Sequence, residues 1–246
     1  MLIIRSNIFK KFPELDFGLS TKIGNKKKSP YFFNMSKSIG DDEKNVDENR
    51  KAFFSKFNLT TENVVIQKQT HSDIVNIVET QKTNLEGDAL ITATPNLAIA
   101  ISTADCNNIY IYDKSKKIVS AVHSGWKGTE KRILSKTLEK LKNNFNSLPD
   151  DLFVYVGPAI SQSNYEVGEE VAYKFDKKYY KKSENKENKF LLDLKTANYD
   201  MLIEFGIPKK NIQLSTMCSY NQKELQSFRR DKDKSGRALG LIVMKK

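Results

Sequence analysis

The sequence predicts one domain in which β-strands and α-helices alternate. Its 246 residues are enough to bury a sizeable core. Hydrophobic residues make up 39% of the chain and charged residues 29%, which is typical of a soluble globular protein and argues against a disordered or membrane protein. Strand-like and helix-like apolar patterns follow one another along the whole chain, and no internal repeat is evident.

The predicted strands are short apolar or alternating runs bounded by turn residues. The run LAIAI, at residues 97–101, has no polar position and therefore predicts a strand buried on both faces. Strands are predicted at residues 17–21, 64–66, 74–78, 89–92, 97–102, 109–112, 118–122, 152–156 and 212–215, and a last apolar strand follows the turn at 231–236.

The predicted helices combine a one-sided apolar stripe with residues that suit helix ends. Asp41 or Asp42 can cap a helix over residues 43–57. Asp193 and Gly206 are suited to begin and end a later helix. Two more helices are predicted, one over residues 129–145 and one starting near Val167, and the long stretch 22–42 is typical of a functional loop.

The chain is basic, with 41 Lys and Arg against 30 Asp and Glu and a net charge of +11. Such a positive charge is compatible with anionic partners, which include nucleic acid, acidic membranes and phosphorylated ligands. Much of the charge is lysine in solvated-looking runs at 26–28 and 177–189, and the second run is interpreted as an exposed insertion. No aromatic-basic motif of a nucleic-acid module accompanies them, so nucleic acid is not expected as the main partner.

The location is predicted to be the cytoplasm, with no membrane partner. No apolar run approaches the ~20 residues of a membrane-spanning helix, and the apolar core of the N-terminus is too short for a secretory signal. The two cysteines lie far apart in different motifs, which indicates no disulfide framework.

Residues 103–129 hold one of the two cysteines, one of the two histidines and the only tryptophan. Their two strand patterns predict a hairpin that Cys106 enters and His123 leaves. The other histidine, His71, also lies at a strand end. Two imidazoles and a thiolate suit a catalytic zinc with an open fourth position or a nucleophilic thiol, while buried structural residues explain them as well. Their spacing matches no short metal-ligand motif.

Two further stretches suggest anion binding. After the hairpin, a turn with Gly125 and Gly128 leads into a helix, where free N–H groups and the charge of Lys127 would attract an anion. A simple tight turn explains the glycines equally well. Arg229 and Arg237 flank the C-terminal turn and could bind phosphate in bidentate fashion, although a solvated hairpin tip is the simpler interpretation.

The chain contains, in this order, the motifs FGLSTKIGN, FNMSKSIGDD, VDENR, QTHSDIV, GDALIT, TADC, AVHSGWKGT, GPAISQSNYEVGEEV and FRRDKDKSGR. Together they closely resemble the YfiH family, once described as multicopper polyphenol oxidases or laccase-domain proteins. The resemblance covers nearly the whole chain. It implies an α+β fold, a single domain over residues 1–246 with mixed β-sheets packed between helices.

The resemblance also implies a zinc site and an activity. In the family the corresponding histidines and cysteine bind zinc, which assigns His71, Cys106 and His123. The implied activity is phosphorolysis of adenosine, inosine or guanosine, cleavage of methylthioadenosine and deamination of adenosine. Two histidines cannot supply the several coppers of a multicopper oxidase, so copper is less expected than zinc, although a single Cys-His-His copper site remains open.

The chain departs from the family pattern at a few positions. Lys22 and Lys127 stand where arginine is usual, and lysine keeps the charge but loses the planar fork. Asn25 replaces a glycine, and Asn107 and Asn108 replace an apolar residue and a proline. These departures bear on specificity and rate more than on the metal site.

The expected mechanism places Cys106 and His123 in catalysis as well as in metal binding. Zinc would activate a water for attack on C6 of adenosine, and Asp105 would act as acid or base or would support the metal site. The residues expected to bind nucleoside and phosphate are Lys22, Asn34, Lys127, Arg229 and Arg237.

Two alternative functions stay open. Cys106 could be a nucleophile with His123 as its base, acting on an amide such as a cell-wall peptide precursor, since some family members are described as peptidoglycan editing factors. A binding module driven by positive charge would instead bind nucleic acid with a steep salt dependence. The oligomeric state is open, and Cys218 is interpreted as structural.

Overall fold

Three β-sheets and the helices packed against them form the computed structural model, which describes residues 1–25, 28–81, 84–184 and 186–245. The described strands are β1 (Ile3–Ile4), β2 (Leu15–Ser20), β3 (Val64–Ile66), β4 (Val75–Ile77), β5 (Ala89–Thr92), β6 (Ala98–Thr103), β7 (Asn107–Asp113), β8 (Ile118–Ser124), β9 (Leu152–Val156), β10 (Glu166–Gly168), β11 (Tyr180–Lys182), β12 (Lys189–Leu192), β13 (Ile212–Leu214) and β14 (Ala238–Met244). The described α-helices are α1 (Glu43–Phe54), α2 (Trp126–Glu130), α3 (Ile133–Phe145), α4 (Glu169–Ala172), α5 (Leu194–Glu204) and α6 (Phe228–Asp231).

The two larger sheets lie face to face around a shared core. The first has the strand order β1-β2-β14-β6-β3 and the second the order β13-β9-β7-β8-β5-β4. Both are mixed, because β3 runs parallel to β6, and β13 and β4 run parallel to β9 and β5, among otherwise antiparallel pairs. The core between them is formed by side chains of both sheets, including Phe17, Ile99 and Ile242 from the first and Leu90, Tyr110 and Tyr155 from the second.

Helices cover the outer faces of these two sheets. Phe53 and Phe54 of α1 pack against Leu239 of the first sheet. Leu138 of α3 and Leu202 of α5 belong to the cluster on the outer face of the second sheet. The layers are therefore helix, sheet, sheet and helix, which confirms the predicted α+β fold with mixed sheets packed between helices.

Several predicted elements are confirmed in detail. β3, β5 and β9 have the predicted bounds, and β7 and β8 form the predicted hairpin. The LAIAI strand is buried along nearly its whole length. The Asp42 carboxylate caps α1 by accepting a hydrogen bond from the Lys44 N–H at 2.9 Å, and Gly206 follows α5 with a φ of 97°.

Two helix predictions are confirmed only in part, because both helices begin later than expected. The helix expected over 129–145 is instead α2 and α3, because Arg132 between them adopts a left-handed φ of 59° that interrupts the helix. The helix expected near Val167 begins later, because Val167 pairs with Phe190 in the small antiparallel sheet β10-β12-β11. That pairing satisfies backbone groups that a longer helix would have used.

The lysine-rich segment 177–189 is largely exposed, as predicted, but it is not simply an insertion. It contributes β11 and the first residue of β12 to the small sheet. Asn185 of this segment, and Lys26 and Lys27 of the other predicted solvated run, lie outside the described residues. In the part of the chain that is described, no helix is both long and apolar enough to cross a membrane.

The chain passes from the first large sheet to the second at two places, and both carry residues of interest. The connection from β3 to β4 contains His71, and the connection from β6 to β7 contains Cys106. His123 lies near the end of β8 and faces Asn108 across the hairpin. The topology therefore brings these three residues together at one end of the paired sheets.

Candidate metal centre and adjoining cavity

His71, Cys106 and His123 form a compact cluster of possible metal ligands. One nitrogen of each imidazole and the Cys106 sulfur all lie within 4.8 Å of one another. The two imidazole rings meet edge to face, with 5.0 Å between their centroids. His123 is buried, Cys106 is half-buried and His71 is exposed, so the cluster is open on one side.

Gly125, directly after β8, leaves room for this cluster. A β-carbon at this position would lie 3.0 Å from the Cys106 sulfur and 3.1 Å from Cδ2 of His71. Such contacts are tighter than van der Waals spacing, so a side chain here would displace the ligands. The glycine turn therefore makes space for the metal site, and its predicted role in holding an anion stays a prediction.

A single carboxylate, that of Asp88, holds two of the three ligands in place. Its Oδ1 lies 2.8 Å from Nδ1 of His123, which leaves Nε2 as the free nitrogen of that ring. The same carboxylate accepts hydrogen bonds from the N–H groups of Thr70, His71 and Ser72 at 2.6–3.2 Å. Asp88 is fully buried. A carboxylate bound to the far nitrogen of a ligand histidine is the usual support of a metal site.

The electrostatics of the cluster favour an ionised sulfur. Burial alone would raise the pKa of Cys106, but the charge of His123 and hydrogen bonds from both histidines lower that pKa to about 6. Burial likewise disfavours the charged form of His123, yet the neighbouring thiolate and Asp88 raise its pKa to about 9. Without metal the pair is therefore a thiolate beside an imidazolium, and a metal ion would displace the proton of His123.

The cluster opens into a cavity of about 600 Å³. Its wall combines the three ligands with polar groups of β6 and its neighbours, one aromatic ring and several basic side chains. Beyond the ligands, the residues that line it include Gln67, Gln69, Ser102, Thr103, Phe228, Lys37, Arg50, Lys68 and Arg237. Gln69 is tied to Ser102 by hydrogen bonds in both directions, 2.7 and 2.9 Å long, and this fixes the loop that carries His71.

Asp105 lies beside the cluster but is occupied by the protein itself. Its Oδ1 accepts a hydrogen bond from the Ser219 hydroxyl and its Oδ2 accepts one from the Arg229 N–H, each 2.6 Å long. Its φ of 92° is a strained backbone conformation for a residue with a side chain. These contacts link the loop before Cys106 to the C-terminal segment, which suits a supporting role better than proton transfer.

Of the five residues predicted to bind substrate, Arg237 lines the cavity. Its guanidinium lies 5.3 Å from the centre of the Phe228 ring and donates to the carbonyls of Ser235 and Gly236. Asn34 is fully buried, and its Oδ1 accepts a hydrogen bond from the Arg237 backbone N–H at 2.9 Å. Asn34 therefore supports the backbone of Arg237.

The other three predicted residues, Lys22, Lys127 and Arg229, are not among the described residues of the cavity wall. Lys22 forms an ion pair with Asp231. Lys127 lies above the Trp126 ring, and the Arg229 guanidinium donates to the Glu166 carbonyl at 2.7 Å. Their role in binding substrate stays a prediction.

Sequence reasoning assigned no role to Arg50, Gln67 or Asp88. For Arg50 a signal was present, because it lies four residues after Val46 and three before Phe53, on the apolar stripe of α1. A charged residue on such a stripe indicates a buried or site-facing position. Gln67 and Asp88 gave no comparable signal, since their burial depends on contacts between distant strands.

Comparison with known proteins identifies relatives over most of the chain. A family model described as multi-copper polyphenol oxidoreductase laccase matches residues 16–245. A purine nucleoside phosphorylase of Clostridium acetobutylicum is 41% identical over 182 residues, which cover 72% of this chain and 75% of that protein. A purine nucleoside phosphorylase of Bacteroides thetaiotaomicron is 34% identical over 230 residues, covering 87% of this chain and 85% of its own.

Solved structures show the same fold. The hypothetical protein YfiH of Bacillus licheniformis superposes with a TM-score of 0.89 at 29% identity and covers 96% of this chain and 94% of its own. YlmD of Geobacillus stearothermophilus gives a TM-score of 0.89 at 28% identity, and the match covers 96% of this chain and 93% of YlmD. The chain therefore belongs to the YfiH family, the family of the laccase-like polyphenol oxidoreductase model.

Proposed function

We propose that this protein is a zinc-dependent purine nucleoside phosphorylase that also deaminates adenosine. The observation that carries the proposal is the three-ligand cluster opening into a cavity of about 600 Å³, a size typical of small-molecule sites. The relatives named purine nucleoside phosphorylases, which match most of the chain, support the substrate class.

The donor set fits zinc. Zinc binds nitrogen and sulfur at about 2.0–2.3 Å, and three such donors within 4.8 Å of one another can share one ion. The exposed side of the cluster leaves a position for water or substrate, as in catalytic zinc sites. Copper accepts the same donors, but zinc suits a reaction without electron transfer. A bound zinc would supply Lewis acidity and would lower the pKa of water.

Phosphorolysis makes one bond and breaks one. An oxygen of phosphate bonds to C1′ of the ribose, the bond from C1′ to N9 breaks, and its electron pair leaves with the purine, which takes up a proton. The Arg237 guanidinium, in the cavity wall, would bind the negative charge of phosphate, and the Phe228 ring would offer an aromatic surface for a base. Asp88 keeps the His123 ring in one orientation throughout.

The proposal is tested by separating the products formed from adenosine, with and without phosphate, by protein of measured zinc content. We expect adenine with phosphate, inosine with or without it, and loss of both in His71→Ala, because that variant lacks one metal ligand. Cys218→Ser, a thiol variant outside the cluster, is the matched control and should keep both products. Zinc-loaded protein that releases no free base from adenosine, inosine or guanosine, and forms no inosine from adenosine, would contradict the proposal.

A second candidate function is supported by one specific observation. Cys106, His123 and Asp88 follow one another as thiolate, imidazole and carboxylate, with 2.8 Å between the last two, which is the arrangement of a thiol hydrolase. Such an enzyme would act on an amide, for example a cell-wall peptide precursor.

Metal removal and alkylation separate the two candidates. The thiol hydrolase would retain amide hydrolysis in the presence of a chelator and in His71→Ala, since His71 lies outside the triad, and would lose it with iodoacetamide. The zinc enzyme would lose nucleoside turnover under chelation and recover it when zinc is restored. Cys106→Ser would inactivate both and therefore decides nothing alone.

A further inference from the structure

Two arginines in the cavity wall, Arg50 and Arg237, form no ion pair with a described carboxylate. Asp47 and Glu43 act on Arg50, and Asp105 acts on Arg237, through space and without a hydrogen bond. Arg50 makes one hydrogen bond among the described residues, from Nε to the Met35 carbonyl at 2.8 Å. Within the described part of the chain, the Arg237 guanidinium donates only to the carbonyls of Ser235 and Gly236. Arg230, by contrast, pairs with a carboxylate. Both side chains are half-buried. A guanidinium partly withdrawn from water without an anion bound to it is unfavourable, and burial lowers the pKa of both Arg50 and Arg237 in spite of these negative neighbours.

The other basic residues of the same wall are already neutralised. The Lys37 ammonium lies 2.8 Å from Asp47 and 3.3 Å from Glu43. The Lys68 ammonium lies 2.6 Å from Glu86 and is mostly exposed. Among the described basic residues of this wall, the two arginines are therefore the ones without an ion pair.

Both arginines are hydrogen-bonded to the same short segment, residues 34–35. The Met35 carbonyl accepts from Arg50 Nε at 2.8 Å, and the Met35 N–H donates to the Arg237 carbonyl at 3.0 Å. Asn34 accepts the Arg237 N–H, while its own carbonyl accepts from Asn49, the neighbour of Arg50 on α1. Residues 34–35 thus tie α1 to the residue before β14, fixing the Arg50 side chain and the Arg237 backbone, and both arginines line the same cavity.

A third donor lines the same cavity. Gln67 is 5% exposed, and its Nε2 has no hydrogen-bond partner among the described residues. Its Oε1 is occupied by the Asn76 amide at 2.9 Å. A buried amide donor without a partner costs free energy unless a ligand accepts from it.

We infer that Arg50 and Arg237, with Gln67 as an added donor, form a subsite for a phosphate dianion in the cavity beside the metal cluster. The groups are all donors, and guanidinium forks match phosphate oxygens in bidentate geometry. This inference rests on the proposed function, because it names the residues that hold its second substrate. It adds Arg50, on α1, and Gln67, directly after β3, to Arg237 of the C-terminal segment.

The test measures binding of inorganic phosphate to zinc-loaded protein by calorimetry, and the KM for phosphate in adenosine phosphorolysis. Arg50→Gln should weaken phosphate binding and raise that KM by at least about 10-fold, the effect of losing a charge-assisted hydrogen bond, while the KM for adenosine and the zinc content stay near wild type. Arg50→Lys keeps the charge but loses the planar fork. Its KM for phosphate should lie between the values of wild type and Arg50→Gln.

Lys68→Gln is the matched control, because it removes an equal charge from the cavity rim at a site outside the subsite. It should change the KM for phosphate less than about 2-fold, as expected for an exposed ion pair. Phosphate binding that is unchanged in correctly folded Arg50→Gln, or equally weakened in Lys68→Gln, would overturn the subsite.

The phosphate could be free or part of a nucleotide, and adenosine 5′-monophosphate separates these sources. Tighter binding of the nucleotide than of adenosine, lost in Arg50→Gln, would assign the subsite to a phosphate ester. Saturable binding of inorganic phosphate alone would assign it to the free ion, and binding of neither would overturn the inference. If wild-type protein binds phosphate at Arg50 but releases no base, the proposed activity fails and the subsite stands.

Discussion

The two cysteines of this protein lie in loops at the same end of the molecule, but their surroundings differ in kind. Cys106 lies between two imidazoles, and their charge and hydrogen bonds outweigh burial and lower its pKa. The Cys218 sulfur accepts hydrogen bonds from the N–H and hydroxyl of Ser161, at 3.3 and 3.1 Å, and lies 3.5 Å from the Asn164 amide.

The difference shows that the partners, not the thiol, decide what each cysteine can do. A sulfur beside two imidazole nitrogens offers a metal a ligand set, whereas a sulfur surrounded by hydroxyl and amide donors joins two loops. The loop that carries Cys218 is nevertheless bonded to the loop that carries Cys106. The hydroxyl of Ser219, next to Cys218, donates to the carboxylate of Asp105, next to Cys106. Cys218 therefore supports the site through its neighbour without belonging to it.

The largest expected effect is on zinc affinity, and it appears when each cysteine sulfur is replaced by oxygen and the two variants are compared. Cys106→Ser should weaken zinc binding by at least about 100-fold, because loss of a ligand costs more than the 10–100-fold loss typical of a supporting residue. Cys218→Ser should leave zinc affinity within about 3-fold, since its partners can bond a hydroxyl equally well. The measurement is competition for zinc against a chromophoric chelator.

Unfolding curves recorded without metal serve as the control for this comparison. Both serine variants should unfold cooperatively and should lose no more than about 2 kcal/mol of stability, the range of ordinary point substitutions. Equal loss of zinc affinity in the two folded variants would show that Cys218 is coupled to the metal site and that the contrast is mistaken.

A smaller effect should follow from Asp88→Asn, which sharpens the comparison by changing a partner of the cluster and leaving both sulfurs intact. The amide keeps the size of the carboxylate but cannot accept at every position from His123 and the 70–72 loop. Zinc affinity should fall about 10–100-fold. Asp73→Asn, in the β3–β4 connection that carries His71, changes a half-buried carboxylate that pairs with Lys136, and it should change zinc affinity less than about 3-fold. An Asp88→Asn protein with wild-type affinity would remove Asp88 from the site.

Much of the fold could be predicted because local patterns carried it. β3, β5, β9 and the β7–β8 hairpin are short apolar runs bounded by turn residues, and such runs fix strand limits well. The helix break at Arg132 could not be predicted, since no glycine or proline marks it. Val167 was misassigned because its strand partner, Phe190, is brought to it only by the tertiary fold.

The ligands of the candidate metal site were within reach of the sequence, whereas its basic residues were not. His71, Cys106 and His123 are rare residue types at strand ends, and strand ends converge when sheets pack. Lys22 had the expected charge, but its pairing with Asp231, 209 residues away, depends on the whole fold. Arg50 lay on an apolar helix face, and only the folded chain shows that this face borders a cavity.

The smallest expected effect concerns reactivity, and it tests the electrostatic half of the comparison. In zinc-free Cys218→Ser protein, alkylation by iodoacetamide reports Cys106 alone, and only the thiolate reacts. Because the pKa of Cys106 is lowered to about 6, the rate should fall about tenfold from pH 7 to pH 5 and should be nearly flat above pH 7, and zinc should suppress it. An ordinary thiol would lose about 100-fold over the same interval and would still gain about tenfold per unit up to pH 8. That steeper profile would show that the histidines do not hold a thiolate at Cys106.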